Sequence, residues 1–512
     1  MSGRTPPVLR PEHPPVRELA ELAAHFGLES RGDLTGVTLT GITLSTTDLL
    51  PGDVYVGVRG VHAHGASYAA DARAGGAVAL VTDAAGVELA ADSGLPILIV
   101  DSPRGSLGAL ASWVYRTSEF EGQLFGVTGT NGKTSSVYLL EAVLRQLDVV
   151  TGLSSTAERH IAGLTVVSRL TTPEATEFHA LLARMREAGV GAVAVEVSAQ
   201  ALSRHRVDGV LFDVVGFTNL SHDHLDDYAD MEEYFAAKLP LFTAERGRRG
   251  VVSLDSDYGT RVVEAADIPT TTITSRSEID ADWHVDVTEE NAAYTSFRLR
   301  HADGRALETR IPLIGGHMAA NAGLVLVMLV EAGYGFDDIQ RAVADRGIDA
   351  YLPGRTERVS GDRGPSVYVD FGHSADAFEN TLAAVRRFTT GRTIMVFGAD
   401  GDRDATKRHE MARVAAEGCD VLVITDHHPR FEDPESIRRT LLKGAKTASN
   451  RPEIHEVSPP ERAIRHAVGL AQEGDSILWA GPGHQDYREI RGVRTEYSAR
   501  DEARAALREA GW

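Results

Sequence analysis

The sequence predicts an α/β protein of three domains: a small α/β domain, a central parallel-sheet domain carrying a glycine loop, and a C-terminal Rossmann-like domain. The chain has 512 residues, which at roughly 150 residues per domain is room for about three. Short β-branched runs alternate with helix-period segments along most of it, the pattern of parallel strands joined by helical crossovers. A glycine-rich loop separates one apolar run from the helical run after it. With 43% hydrophobic and 24% charged residues, each domain can bury a core. Lys and Arg number 52 against 73 Asp and Glu, a net charge of −21 that repels nucleic acid and anionic membranes. Neither is expected as a partner. A single cysteine, Cys419, can form no intrachain disulfide and fits a reducing cytoplasm as an isolated buried thiol.

Residues 1–16 hold Pro6, Pro7, Pro11, Pro14 and Pro15 without the apolar core of a signal peptide, so no export is expected. Apolar runs at 37–44, 54–58 and 78–81, with an Ala-rich helical stretch at 68–74, build the first domain, assigned to 1–119. A polar stretch at 117–123, after a helical pattern at 107–115, reads as the linker to the second domain, 120–350. Strand candidates there are 124–128, 192–197, 214–218 and 251–254, with helical segments such as 177–188 between them, and 293–299 reads as an antiparallel insertion. The most apolar window, 311–330, is interrupted by Gly315-Gly316-His317 and Asn321 and is expected to be strand, turn and buried helix rather than a membrane span. Punctuation at 347–354 leads into the third domain, 351–512, where strands at 367–371, 394–398, 421–425 and 476–480 alternate with helices at 406–416, 436–442 and 461–471.

The strongest local signal is Gly126-Val127-Thr128-Gly129-Thr130-Asn131-Gly132-Lys133-Thr134, between an apolar strand and the helical run 137–147. Strict Walker spacing would place glycine at Val127, so this is a variant loop. Gly129, Thr130, Asn131 and Gly132 can close backbone N–H groups around phosphate oxygens, Lys133 supplies a mobile cation, and the Thr134 hydroxyl can ligate Mg²⁺. The alternative is a glycine-rich turn that happens to precede a lysine. Strand and helix on either side favour nucleotide binding.

This loop resembles that of the Mur ligase superfamily, ATP-dependent amide-forming ligases that include the folylpolyglutamate synthetases. Further along come Thr171-Thr172-Pro173-Glu174, Glu196-Val197-Ser198, His205-Arg206-Val207, Phe217-Thr218-Asn219-Leu220-Ser221, Asp223-His224-Leu225-Asp226 and Tyr234-Phe235-Ala236-Ala237-Lys238. Their order and spacing resemble those of UDP-N-acetylmuramoyl-tripeptide synthetases, the MurE-type enzymes that add the third residue of the peptidoglycan stem. The likeness runs from about Gly36 to the C-terminus. It implies ATP and two Mg²⁺ as cofactors, and a UDP-linked muramoyl dipeptide and an amino acid as substrates. It also implies a role in cell-wall biogenesis, cell shape and division; a cytoplasmic monomer is the expectation for the chain.

The resemblance implies a catalytic set of Lys133, Glu196, His224 and Lys238, with Thr134, Glu196, His224 and Lys238, the last as a carbamate, around the metals. A strand-end carboxylate such as Glu196 suits a hard cation. A capped strand end, a satisfied loop histidine and a solvated helix lysine are the structural alternatives. In the third domain Gly354-Arg355, Asp370-Phe371-Gly372-His373 and the run from Phe397 to Asp404 continue the likeness. By resemblance Asn321, Arg355, Asp370 and His373 touch ATP, and Thr171, Thr172, Ser198 and Arg206 the UDP-linked substrate. Arg403 is a candidate for a substrate carboxylate, which a planar guanidinium can grip with two hydrogen bonds.

The match breaks in several places, among them Arg204 for the family's glutamine, Gly372-His373-Ser374-Ala375 for A-H-T-P and His317-Met318 for F-N. The family's D-S-R in the UDP domain is Ser45-Thr46-Thr47 here, leaving Leu44 and Thr46 as the UDP-facing candidates. Around the incoming amino acid, the D-N-P-R of diaminopimelate-adding enzymes is His427-His428-Pro429-Arg430, and G-K-G-H-E-D-Y is Gly481-Pro482-Gly483-His484-Gln485-Asp486-Tyr487. A carboxylate that would pair with a distal ammonium is therefore a neutral amide. Arg403, His428, Arg430, Gly481 and Gln485 form the expected amino-acid pocket. His427 and His428 read as a polar loop, since adjacent side chains seldom converge on one ion without a further ligand. The leading expectation is a peptidoglycan-precursor ligase. A paralogue joining an amino acid to another carboxylate is the alternative, and a non-catalytic nucleotide scaffold a third.

Overall fold

The computed structural model describes residues 8–512, so the expectations for Pro6 and Pro7 lie outside the described residues. Three main sheets organise the chain. The first has the order Glu29–Arg31, Ile97–Ile99, Ala79–Thr82, Asp53–Gly57 and Gly41–Thr43, parallel except at Glu29–Arg31. Helix Pro103–Tyr115 starts at a Ser102 cap with proline in its first turn, where a missing N–H is harmless. Its Leu107, Leu110, Ala111 and Val114 share a core with Ala175, Ala180 and Ala183 of helix Ala175–Glu187, which follows in the next unit.

The central sheet has eleven strands. Its parallel body runs Thr151–Ser154, Ala192–Glu196, Gln123–Thr128, Phe212–Phe217, Gly247–Ser253, Thr270–Thr274 and Trp283–Glu290. Both edges are antiparallel, closed by Glu158–Ile161 and Leu164–Val167 on one side and by Thr295–His301 and Ala306–Ile311 on the other. The expected antiparallel insertion is therefore real and larger than 293–299, because Trp283–Glu290 pairs with it. Chain order turns from one side of Gln123–Thr128 to the other, making its carboxyl end the topological switch point where ligands of open α/β sheets collect. Helix Gly316–Glu331 is buried against helix Lys133–Gln146 and the antiparallel edge, as the interrupted apolar window predicted. Among the described residues no helix is long and apolar enough to cross a membrane.

The third sheet has the order Glu357–Arg358, Ser366–Asp370, Ser476–Ala480, Thr393–Phe397, Val421–Ile424 and Glu453–Glu456, parallel apart from its first strand. Its four inner strands, Ser366–Asp370, Ser476–Ala480, Thr393–Phe397 and Val421–Ile424, are largely apolar and buried because helices cover both faces. Cys419 is buried and free, and burial pushes its thiol up to about 12, leaving it inert.

Candidate active site

One cleft of about 1630 Å³ lies between the carboxyl ends of the central and third sheets. Its floor is the phosphate loop. Gly129 and Gly132 take φ of 151° and 87°, and a Cβ at Gly132 would sit 2.6 Å from Asn321 Oδ1, so the tight loop needs glycine there. The motif Phe217-Thr218-Asn219 pins the loop: Thr130 N–H donates to Asn219 O (2.9 Å), Asn131 N–H to Asn219 Oδ1 (3.0 Å), and Thr218 Oγ1 to Asn131 O (2.6 Å). Lys133 Nζ folds back onto the carbonyls of Gly129 and Thr130, both at 2.9 Å.

Lys238 is 1% exposed and donates to the same Gly129 carbonyl at 3.0 Å, its amine 4.4 Å from the Tyr234 ring centroid. Burial, and then repulsion from Lys133, hold its amine well below the usual lysine range. It stands behind the loop rather than on the cleft wall. Glu196 ends strand Ala192–Glu196, fully buried, and its carboxylate accepts from Thr156 N–H (2.8 Å) and Thr156 Oγ1 (3.0 Å). Thr134 Oγ1 accepts from Arg355 Nη2 at 2.7 Å. Arg355 packs over Phe371, 4.3 Å from the ring centroid, with its Nη1 buried and unpartnered.

His224, at φ 60°, contacts Gln200 Nε2 through Nδ1 at 2.9 Å. Burial pushes it down to about 4, so it is neutral at pH 7 and can ligate a metal. Asp226 and Asp227 offer oxygens within 4.8 Å of it and of each other; Asp226 belongs to the Asp223–Asp226 motif without having been assigned to a metal, and Asp227 follows it. Thr134, Glu196 and these carboxylates are the oxygen donors that Mg²⁺ prefers, so the residues present fit that ion.

Of the expected nucleotide contacts, Asn321 abuts Gly132 and His373 lines the cleft. Asp370 also lines it, but each of its oxygens already accepts a backbone N–H, from Thr356 and Gly372, at 2.8 Å. Thr171, Ser198 and Arg206 line the cleft, whereas Thr172 is fully buried, bridging Glu196 O (2.7 Å) and Ser198 N–H (3.1 Å). Arg206 is gripped by Glu174 at 2.9 Å. Leu44 and Thr46 lie beyond the cleft lining, on the loop after Gly41–Thr43. That loop reaches the lining through Asp48, which pairs with Arg169 at 2.9 Å.

The amino-acid pocket assembles around the third sheet. Arg403, Arg430, Gly481 and Gln485 line it, but His428 is 3% exposed and stands behind them. Its Nδ1 accepts the Glu489 N–H at 3.0 Å, which fixes the proton on Nε2, and Nε2 donates to Gln485 Oε1 at 2.9 Å. Its ring stacks on Tyr487, 5.2 Å between centroids. Asp400, His427 and His428 do bring three ligand atoms within 4.8 Å. Asp400 thus stands as a further ligand beside the pair, while both His428 nitrogens are engaged by Glu489 N–H and Gln485 Oε1.

Several contacts join the third sheet's unit to the central one across the cleft. Lys407 Nζ lies 2.6 Å from Asp223 Oδ1, Asn131 Nδ2 donates to Asp376 at 2.8 Å, and Arg387 pairs with Glu290. Burial works against the charge on Asp223, yet Lys407, His373 and His224 outweigh it and hold the carboxyl far below the usual range.

Residues 127–329 match the Mur ligase middle domain and 354–483 the Mur ligase glutamate ligase domain. The chain is 60% identical, over all of both chains, to a protein of Leifsonia xyli subsp. xyli named UDP-N-acetylmuramyl-tripeptide synthetase. It is 40% identical, over 98% of both chains, to UDP-N-acetylmuramoyl-L-alanyl-D-glutamate–2,6-diaminopimelate ligase of Streptomyces avermitilis. Among solved structures, a ligase of that second name superposes with a TM-score of 0.65 at 24% identity, covering 96% of this chain and 99% of the other. MurF ligase of Thermotoga maritima in complex with ADP gives 0.63 at 17%, covering 92% and 97%. Full-length identity at this level, with both domain matches falling on the two units that form the cleft, places the chain in the Mur ligase family, among its MurE-type tripeptide synthetases.

Proposed function

We propose that the protein is the ATP-dependent ligase that adds an amino acid to UDP-N-acetylmuramoyl-L-alanyl-D-glutamate in peptidoglycan precursor synthesis. The observation that carries this is the meeting, in one cleft, of the phosphate loop, Glu196 and Thr134 on one wall with Arg355, Arg403 and Arg430 on the other. Full-length relatives bear the cell-wall substrate in their names, which favours it over another carboxylate acceptor. We divide the chain at 1–119 for the UDP end of the substrate, 120–350 for ATP and 351–512 for the amino acid, working as a cytoplasmic monomer.

In this reading the γ-carboxylate of D-Glu attacks the γ-phosphorus of ATP and ADP leaves. The α-amine of the amino acid then attacks the acyl phosphate, forming the amide and releasing phosphate. No protein nucleophile is needed. Catalysis is positioning and charge neutralisation: Lys133 leaves its loop carbonyls for the phosphates, and Arg355 swings from Thr134 toward them. Thr134, Glu196 and His224 would hold the two Mg²⁺, which screen the charge on the phosphoryl oxygens. Lys238, with its proton disfavoured, would capture CO₂ as a carbamate, lose a proton and become an oxygen donor to the metals. Arg403 and Arg430 would hold the amino acid's carboxylate, and Gln485, aimed by His428, its side chain.

Phosphate release measured with ATP, Mg²⁺ and the UDP-linked dipeptide, screened across diaminopimelate, lysine, ornithine and other amino acids, tests the proposal. Release that needs both the dipeptide and one amino acid supports it. Release with another carboxylate in place of the dipeptide would overturn it.

A further inference from the structure

The far end of the cleft holds a carboxylate that the reaction above does not use. Strand Trp283–Glu290 alternates, and Trp283, Val285 and Val287 face helix Gly316–Glu331, where Val285 and Val287 lie against Gly323 and Gly316. Strict alternation would next place Glu289 on that face and turn Glu290 away. A bulge between Val287 and Glu289 resets the phase, so Glu290 pairs with Thr295 on the face carrying Phe297 and Leu299. Bulges of this kind re-aim side chains and concentrate beside active sites.

The result is a carboxylate with 7% exposure in the cleft wall. Its Oε2 pairs with Arg387 of helix Ala375–Phe388, while its Oε1 is buried with no hydrogen-bond partner. A buried acceptor without a donor is costly, which points to a donor brought by a ligand. The position suits one part of the nucleotide. Asn321 touches Gly132 of the phosphate loop, and His317 precedes it by one turn of the same helix, about 6 Å along the axis. Gly315, at φ 107°, lies against both His317 and Ala384 of helix Ala375–Phe388. A nucleotide with its phosphates at Gly132 and its body along this helix therefore delivers its base to the corner formed by His317, Ala384, Arg387 and Glu290. Burial pushes the His317 ring below the usual histidine range, which favours the uncharged form against a base.

We propose that Glu290 reads the base of the nucleotide, its Oε1 accepting a hydrogen bond from the exocyclic 6-amino group of adenine. The inference rests on the nucleotide-site reading and adds the choice of base. Arg387 holds the carboxylate in place from the other side and stabilises its charge.

The test is calorimetric binding to the full chain of ADP and of purine riboside 5′-diphosphate, which lacks only the 6-amino group. The wild-type protein should bind ADP about tenfold to a hundredfold more tightly than the deaminated analogue, the range of a hydrogen bond to a charged acceptor. In Glu290→Ala the two should bind within about twofold of each other. Arg387→Met, which removes the ion pair but keeps the carboxylate, should preserve the preference even where overall affinity falls. A wild-type preference near one, or a preference that survives Glu290→Ala, overturns the proposal and makes Glu290 only a partner of Arg387. No binding of ADP to the wild-type protein would remove the nucleotide site itself, an outcome distinct from lost discrimination.

Discussion

Replacing Lys407 by methionine keeps the length of the side chain and removes the charge that bridges the cleft. Lys407 and Asp223 are 13% and 6% exposed at 2.6 Å, so the change strips a buried carboxylate of the strongest of the charges that hold it ionised, ahead of His373 and His224. Removing one partner of a buried pair costs about 3–5 kcal/mol. Part of that is relieved if the cleft opens and water reaches Asp223, which leaves about 3 kcal/mol against the closed state. At 1.4 kcal/mol per tenfold, closure becomes roughly a hundredfold less favourable. Arg403 and Arg430 line the same cleft as the phosphate loop from the unit that Lys407 belongs to, so the loss should appear in kcat/KM for the amino acid, measured by phosphate release, with a smaller fall in Tm. The double variant Asp223→Asn/Lys407→Met, with no stranded charge, should recover part of the loss, as a double-mutant cycle would read it. A Lys407→Met enzyme within threefold of wild type, or a double variant no better than the single, would refute the reasoning.

Lys133→Ala should abolish phosphate release while leaving the thermal melting profile intact, and turnover unaffected by it would remove the active-site assignment. Gln485→Glu returns a carboxylate beside His428 and should raise kcat/KM for an amino acid with a distal ammonium by roughly tenfold, as a charge-assisted contact replaces a neutral one; competition of diaminopimelate against neutral amino acids reads the change. Burial works against the charge on His160, yet hydrogen bonds to Glu141 and Glu158 lift it from 6.5 to about 9. A raised value stabilises the fold fully below about pH 6.5 and loses that contribution as pH rises through about 9. The Tm of the wild type should therefore fall more steeply across that window than that of His160→Gln.

Much of the fold was legible because its signals are local. Continuous apolar strands such as Thr393–Phe397, set between amphipathic helices, identify a covered parallel sheet from the residues alone. The phosphate loop was legible for the same reason: its glycines, lysine and threonine occupy successive positions and need no distant partner to be recognised. What escaped depends on separation in sequence or on small departures from periodicity. Strand Ile97–Ile99 is only three residues long, too short for a period. The bulge in Trp283–Glu290 hid both the start of the antiparallel edge and the inward turn of Glu290. His428 was expected on the pocket wall and stands behind it, because its bonds to Gln485 and Glu489 lie about sixty residues away. Asp223 and Lys407 are 184 positions apart, and Asp48 and Arg169 are 121 apart. Nothing in a local pattern joins such pairs.

In the proposed reaction the phosphoryl group passes through the substrate's own carboxylate inside this cleft. The direct measurement uses UDP-linked dipeptide carrying ¹⁸O in the γ-carboxylate of D-Glu, turned over with ATP and the amino acid that supports release, with product and phosphate weighed by mass spectrometry. One ¹⁸O in each released phosphate, with a product heavier by that amino acid less water, is the predicted result. Unlabelled phosphate, or ATP hydrolysis without any amide product, would contradict the account.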